Sequence, residues 1–396
     1  MTGRAGLKRT IYPLLAALAR LRRRRVPPPI AECRRVLVMH LGLVGDVLLA
    51  TPLLAQLRAT LPAGARITVV VPPHARAALE GNGDIDEIAT YDAFWADPAD
   101  DHRHAPRWKH LVATWRFVRQ HRSAGYDLAI NSWMMDQPFS AALLSMIGAR
   151  ATRGFDFPFS RAFYDVAVPF ESGAHLADAL RALTPTGIGA NSNAGATALR
   201  LRFTPPPAST DPAFRSRLEA IPTPIIAIAP FSSERRKEWP LDRWAAVIDA
   251  LAEHYPAAQF VLTGVPDARA RAAELVAQVK SPMINTVGET TLAGFAAIVG
   301  RAALLVTTES GAMHIASATG TPTYVLFSQI YDYRQFTPYG VPNAFSLIDV
   351  PCARCIYGCP AMTCMQHAPA DVIASVIRFA DAIPACRATS TGPQRR

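Results

Sequence analysis

The chain has 396 residues, half of them hydrophobic, with 41 Lys and Arg against 31 Asp and Glu. That length exceeds one ordinary core and calls for two domains, and the apolar content excludes a chain disordered along its length. Nine of the ten net positive charges fall in the first 35 residues, so the body is nearly neutral and offers no broad nucleic-acid-binding surface.

Residues 1–33 form a basic arm that reads KRTIYPLLAALARLRRRR and then VPPP. Its uncharged stretch, from Thr10 to Ala19, is ten residues long, whereas a membrane span takes roughly 20. The apolar run meets Leu21 and four arginines instead of a small-residue cleavage site, so it does not read as a secretory signal. The arm is read as an interfacial helix on an anionic membrane surface, with Leu14, Leu15 and Leu18 facing lipid. A solvated tail and an arm on nucleic acid are the competing readings. The expected location is cytoplasmic, at the inner face of the membrane.

Beyond the arm, short β-branched runs alternate with amphipathic stretches, which predicts parallel sheets covered by helices. In the first half, residues 35–40 (RVLVMH), 66–71 (RITVVV) and 126–131 (YDLAIN) read as strands, with helices over 48–60 and 108–121. Residues 184–224 are rich in Pro, Gly, Ser and Asn, which places a linker at 204–223. Strands follow at 224–230, 259–263, 303–307 and 323–327, separated by helices over 242–254, 267–279, 292–299 and 312–318. The expected architecture is a domain over 34–203, a second over 224–380 with a Cys-rich end, and a disordered tail over 381–396. Two doubly wound domains of this kind leave a cleft at the carboxyl ends of their strands, where ligands bind.

Three strand-to-helix junctions carry chemistry. After RVLVMH the chain reads LGLVGDVLLATPLL, with Asp46 at a predicted helix start. Asp46 is read either as an N-cap or as a catalytic carboxylate. Next comes APFSSERRKEWPLDRW, which offers the hydroxyls of Ser232 and Ser233 and the cations Arg235, Arg236 and Lys237 at a strand end, suited to a phosphate. The third, LLVTTESGAMHIASATGTPTYVLF, places Glu309, Ser310 and Gly311 at a turn whose helix aims its N–H groups over it. His314 lies one turn into that helix. It reads as a packed core histidine or as a ligand-binding group, and Glu309 as an acid offsetting the helix dipole or as a sugar contact.

The cysteines Cys352, Cys355, Cys359 and Cys364 follow one another at spacings of x2, x3 and x4, without the paired CxxC form of zinc sites. A zinc or iron–sulfur site and a set of free thiols are both open readings. Without a secretory signal, a disulfide framework is not expected.

Together these stretches resemble glycosyltransferase family 9, the lipopolysaccharide heptosyltransferase family. The likeness rests on the Gly-Asp and Thr-Pro-Leu-Leu of residues 42–54, the Lys-x-Trp-Pro of SSERRKEWP, the TESGAMH turn, HLADALRALTPTGI at 175–188, and the Cys-rich end. The resemblance spans roughly residues 34–380 and leaves the basic arm outside. It implies a GT-B fold, with two Rossmann-like domains facing a central cleft. It further implies a nucleotide-sugar donor (ADP-heptose), a glycolipid acceptor and no required cofactor.

Carried over by position, the resemblance makes Asp46 the general base of an inverting, metal-independent transfer. It gives Lys237, with Ser232 and Ser233, the donor phosphates, and Ser310, Gly311 and His314 the rest of the donor. Asp267 would meet the nucleotide ribose. The family's aspartate before Ser-Gly is Glu309 here, one methylene longer, at the position implied to read sugar hydroxyls. A non-catalytic nucleotide-sugar or carbohydrate-phosphate binding module is the alternative. A Rossmann oxidoreductase is disfavoured, because no G-x-G-x-x-G follows any predicted strand.

Overall fold

The central strands of the first sheet are built from largely apolar runs (VLVM, ITVVV and LAI), as a parallel sheet buried on both faces requires. The structure, a computed structural model, describes residues 12–13, 16–17, 19, 24–92, 107–185, 200–206, 211–352, 355, 359 and 361–387. Strands β1 (Arg35–Met39), β2 (Arg66–Val71), β3 (Glu87–Thr90), β4 (Leu128–Asn131), β5 (Ala151–Phe155) and β6 (Val166–Val168) pair in parallel in the order β3-β2-β1-β4-β5-β6. Leu37, Met39 and Val70 bury one face under Phe117, Leu143 and Leu144, while Val36, Val38, Ile67 and Val69 alternate to the other. The order reverses between β1 and β4, so their carboxyl ends diverge at a topological switch point.

The helix expected over 48–60 is two helices, Val44–Leu49 and Thr51–Thr60, separated at Ala50. Pro52 has no N–H to continue the ladder, and the Thr51 hydroxyl bonds the Leu48 carbonyl at 2.7 Å instead. Strands β3, β5 and β6 were not legible: EIAT, ATRGF and VAV are too short or too interrupted by Arg and Gly to stand out.

Three described residues of the arm pack on protein. Tyr12, Ala16 and Ala19 are helical, lie on one face at i, i+4 and i+7, and are buried. Tyr12 meets Phe139 and Phe159 edge-on at 5.6 and 5.7 Å, and its hydroxyl bonds Gln137 Oε1 at 3.3 Å. Leu14, Leu15 and Leu18, expected to face lipid, lie outside the described residues. Among the described residues no helix is long and apolar enough to cross a membrane.

The chain divides between Ala196 and Thr197, upstream of the expected linker at 204–223. That stretch belongs to the second unit: residues Pro212–Glu219 form a helix whose Phe214 and Leu218 are buried with Ile225, Ala227 and Leu305. Asp211 caps it by accepting from Ala213 N. Pro and Ser density signals a break in periodicity, which here is a helix start rather than a linker.

In the second unit β7 (Ile225–Ala229), β8 (Gln259–Leu262), β9 (Ile284–Asn285), β10 (Ala302–Thr308), β11 (Thr323–Leu326) and β12 (Asn343–Ser346) pair in parallel, in the order β12-β11-β10-β7-β8-β9. Ile226, Ile228, Leu304, Val306 and Leu326 face the helices Leu241–His254, Arg269–Gln278 and Pro369–Ala380. Ile225, Ala227 and Leu305 face the helices Leu292–Arg301 and Gly311–Thr319. The tail expected over 381–396 is folded at its start: residues Pro384–Arg387 are helical and Cys386 is buried in the core. Ile383 and Cys386, both buried, anchor the turn there, which composition alone does not reveal. Residues 388–396 lie outside the described set.

Candidate functional site

In the second sheet the order reverses between β7 and β10, and the two loops leaving those strands meet. Ser232 to Lys237 follow β7, and Glu309 and Ser310 follow β10. Lys237 Nζ lies 2.9 Å from Glu309 Oε1 and 3.7 Å from Glu234 Oε2, and it sits 4.5 Å above the Tyr331 ring. The side chains of Lys237 and Glu309 are 13 % and 4 % exposed, so the pair is largely withdrawn from water. The second Glu309 oxygen accepts from the Ser328 hydroxyl at 2.7 Å. Burial, then the Glu234 carboxylate, push the Tyr331 phenol above its ordinary value.

The loop holding Lys237 is fixed by its neighbours. Trp239 is buried and meets Trp244 edge-on at 5.6 Å, and Pro240 precedes the helix Leu241–His254. The Lys-x-Trp-Pro spacing is thus a plug and a helix start that present the intervening ammonium at the strand end. Ser232 Oγ accepts from Glu234 N at 3.2 Å, and Ser232 N donates to Glu238 Oε1 at 3.0 Å, an acid also paired with Arg271. Ser233 is exposed.

Ser310 caps the helix Gly311–Thr319, its hydroxyl accepting from Ala312 N at 3.4 Å. Gly311 is exposed at the first turn, and His314 is buried at 4 % exposure. This end combines a cation, hydroxyls and a helix N-terminus at one switch point, which suits a diphosphate. Asp267 stands after β8 in the turn Pro266–Ala268, with its side chain exposed. Glu309 is found holding Lys237 and Ser328, where the resemblance had implied a contact to sugar hydroxyls.

In the first unit Asp46 is at the third position of the helix Val44–Leu49, not at its cap. Leu43 is the N-cap, and Asp46 Oδ2 accepts from Leu43 N at 3.0 Å. A side chain reaching back in this way still satisfies a free N–H of the first turn. His40 directly follows β1, 1 % exposed, with Nδ1 2.9 Å from the Oγ of Ser132, which directly follows β4. Ser132 Oγ donates to the Met39 carbonyl at 3.2 Å, so it accepts from His40 Nδ1–H and leaves Nε2 bare. That Nε2 is buried without a hydrogen-bond partner. It and Asp46 Oδ2 lie 2.9 and 3.0 Å from the point a Cβ on Gly42 would occupy, so only glycine fits between them.

Burial lowers the His40 imidazole to about 4, partly offset by a hydrogen bond to the Ser132 backbone. Between that value and the ordinary 6.5 the unfolded chain binds more protons, so stability falls as pH drops through this window. For this group the loss is about 3 kcal/mol. His121 and His367, held low by burial, add in the same direction. Chemical denaturation between pH 7 and 4 is expected to show a shallower loss for His40→Gln than for the parent. Equal losses would mean that His40 is solvated.

Cys364 is buried, Cys352 is exposed, and all six cysteines are free thiols. The Met362 N–H holds the Cys359 thiol below its ordinary value. Among the described residues no group of three or more His, Cys, Asp or Glu side chains is arranged to hold a metal ion.

A family model for glycosyltransferase family 9 (heptosyltransferase) matches residues 114–361, well over half of the chain. The chain belongs to this family. It is therefore a glycosyltransferase, and its two parallel-sheet units are the Rossmann-like pair of the GT-B fold. No curated protein matches it significantly by sequence.

Solved structures of similar fold include a family 9 glycosyl transferase from Veillonella parvula, 21 % identical with TM-score 0.71, covering 87 % of this chain and 97 % of that one. The E. coli ADP-heptose lps heptosyltransferase II is 17 % identical with TM-score 0.66, covering 87 % and 98 %. E. coli heptosyltransferase WaaC, solved with ADP, is 19 % identical with TM-score 0.63, covering 87 % and 100 %.

In this glycosyltransferase the structure brings Lys237, Glu309 and Ser310 together and leaves Ser233 and Asp267 exposed. Ser328, Tyr331, His40 and Ser132 were missed in the sequence. Each follows or ends a strand at its carboxyl end, the one signal that could have found them.

Proposed function

We propose that this glycosyltransferase moves a heptose-type sugar from a nucleoside-diphosphate donor to a hydroxyl of a lipopolysaccharide-core or related glycolipid, with inversion and without a metal. The observation that carries the donor side is the Lys237 ammonium beside the N-terminus of the helix Gly311–Thr319, at the switch point of β7 and β10. As the sugar leaves, negative charge grows on the diphosphate, and these groups stabilise it more than they stabilise the bound donor. Ser232, Ser233, Ser310 and His314 complete the donor contacts, with Asp267 toward the ribose. Glu309 is shared between Lys237 and a sugar hydroxyl.

Asp46 takes the acceptor hydroxyl's proton as the oxygen attacks the anomeric carbon. Displacement opposite the leaving diphosphate inverts that carbon, and the proton ends on the carboxylate. The protein works at the inner, cytoplasmic face of the membrane, where the basic arm of residues 1–33 meets anionic lipid and the acceptor is anchored. The cysteine cluster stands outside this reaction.

A thermal-shift panel of nucleotides and nucleotide-sugars, followed by product detection with a glycolipid acceptor, tests the reading. The donor is expected to raise the transition by about 5 °C at a hundredfold excess over its Kd. Transfer to the acceptor should follow. Binding with no turnover on any glycolipid would leave a sugar-phosphate binding module in place of an enzyme.

A further inference from the structure

The helix Arg107–Arg122 carries Arg107, Lys109, Arg116, Arg119 and Arg122 and no acid. One side of it is core: Phe117 and Val118 are buried against the first sheet. The rest of its surface leaves large apolar groups in water, with Leu111 71 %, Trp115 58 % and Val112 37 % exposed. Leu111 and Trp115 are one turn apart and form a stripe with Val112. Arg116 and Arg119 are exposed along it, and the Arg119 guanidinium lies 5.3 Å from the Trp115 ring centre.

The basic arm reaches the same layer. Ala19 packs in the cluster that holds Phe117 and Val118, and Arg24, Arg25 and Val26 emerge exposed after it, with Arg25 N bound to Asp165 Oδ1 at 2.8 Å. The neighbouring helix Pro138–Met146 adds an exposed Met146. An apolar stripe with Arg116 and Arg119 along it is complementary to a surface that is negative outside and greasy beneath. Tryptophan at such a boundary places an amphipathic ring at headgroup depth.

We propose that the exposed stripe of the helix Arg107–Arg122, with the exposed Arg24 and Arg25 that follow Ala19, is the surface on which this protein lies against an anionic bilayer. Leu111, Val112 and Trp115 enter the boundary of headgroups and acyl chains, while Arg116 and Arg119 meet lipid phosphates. The inference deepens the proposed function, for which a lipid-anchored acceptor must be reached, and it places the apolar part of the contact outside the arm.

Co-sedimentation of the full chain with vesicles tests it, using phosphatidylcholine alone and with about 30 % phosphatidylglycerol. Neither donor nor glycolipid is present, so failure here is separate from failure of the sugar-transfer reading. The parent is expected to bind the anionic vesicles only, and to lose most binding at about 0.5 M salt. Arg116→Gln with Arg119→Gln should lower partitioning roughly thirty-fold. Leu111→Gln with Trp115→Gln should lower it about tenfold or more, and the thermal transition of either variant should be unchanged because all four side chains are exposed. Trp115 emission, read against Trp115→Phe, should shift to the blue on anionic vesicles.

Partitioning equal to the parent in both double variants would overturn the proposal and leave the arm alone as the anchor. A parent that self-associates through this face, with variants that become monomeric yet bind vesicles unchanged, would make it an interface between copies.

Discussion

Lys237→Met is expected to lose turnover by about 10²–10³-fold and to weaken nucleotide-sugar binding. It should also destabilise the second unit by about 3 kcal/mol. The two effects have different origins. The activity falls because the ammonium no longer meets the charge developing on the leaving diphosphate. The stability falls because Glu309, 4 % exposed, is left as a buried carboxylate held only by the Ser328 hydroxyl. The double variant Lys237→Met with Glu309→Gln separates them: stability should largely return, because no buried charge is left unpaired, while turnover should not. Denaturation and steady-state kinetics on the three variants decide it. A double variant that regains activity would reduce Lys237 to a structural partner of Glu309.

Asp46→Asn is expected to lower turnover by about 10²–10⁴-fold while leaving donor affinity as it was. Asparagine keeps an oxygen for the Leu43 N–H that Asp46 Oδ2 now accepts, so folding should change little. Asp46→Ala removes that bond too and should lose about 1 kcal/mol in addition. Kinetics on the Asn variant, with donor affinity measured by thermal shift, isolate the proton transfer from the cap. Turnover within tenfold of the parent would assign the carboxylate to the helix end alone.

Much of the site was legible as separate pieces. Lys237, Ser310 and Asp46 each stand just after a β-branched run, and that position marks them before any partner is known. The pairing was not legible. Lys237 and Glu309 are 72 residues apart, and nothing local to either says that β7 and β10 are neighbours. His40 and Ser132 are 92 residues apart, and His40 read only as the last residue of a strand. The same limit governs Asp46: a carboxylate near a helix start suggests a cap, but the third position is known only once the backbone of Leu43 is placed.

The sequence by itself determined the alternation of strands and helices, since side-chain period and β-branching act within a few residues. RITVVV is a strand at its predicted bounds, and the helix Leu241–His254 begins one residue early. It also determined the family, through motifs whose order is preserved. The tertiary structure decided which strand ends meet, where the chain divides, and that Tyr12, Ala16 and Ala19 of the arm pack on protein. Those outcomes depend on contacts between residues far apart in the chain, where the entropy of closing long loops is offset only by burial that no local pattern records.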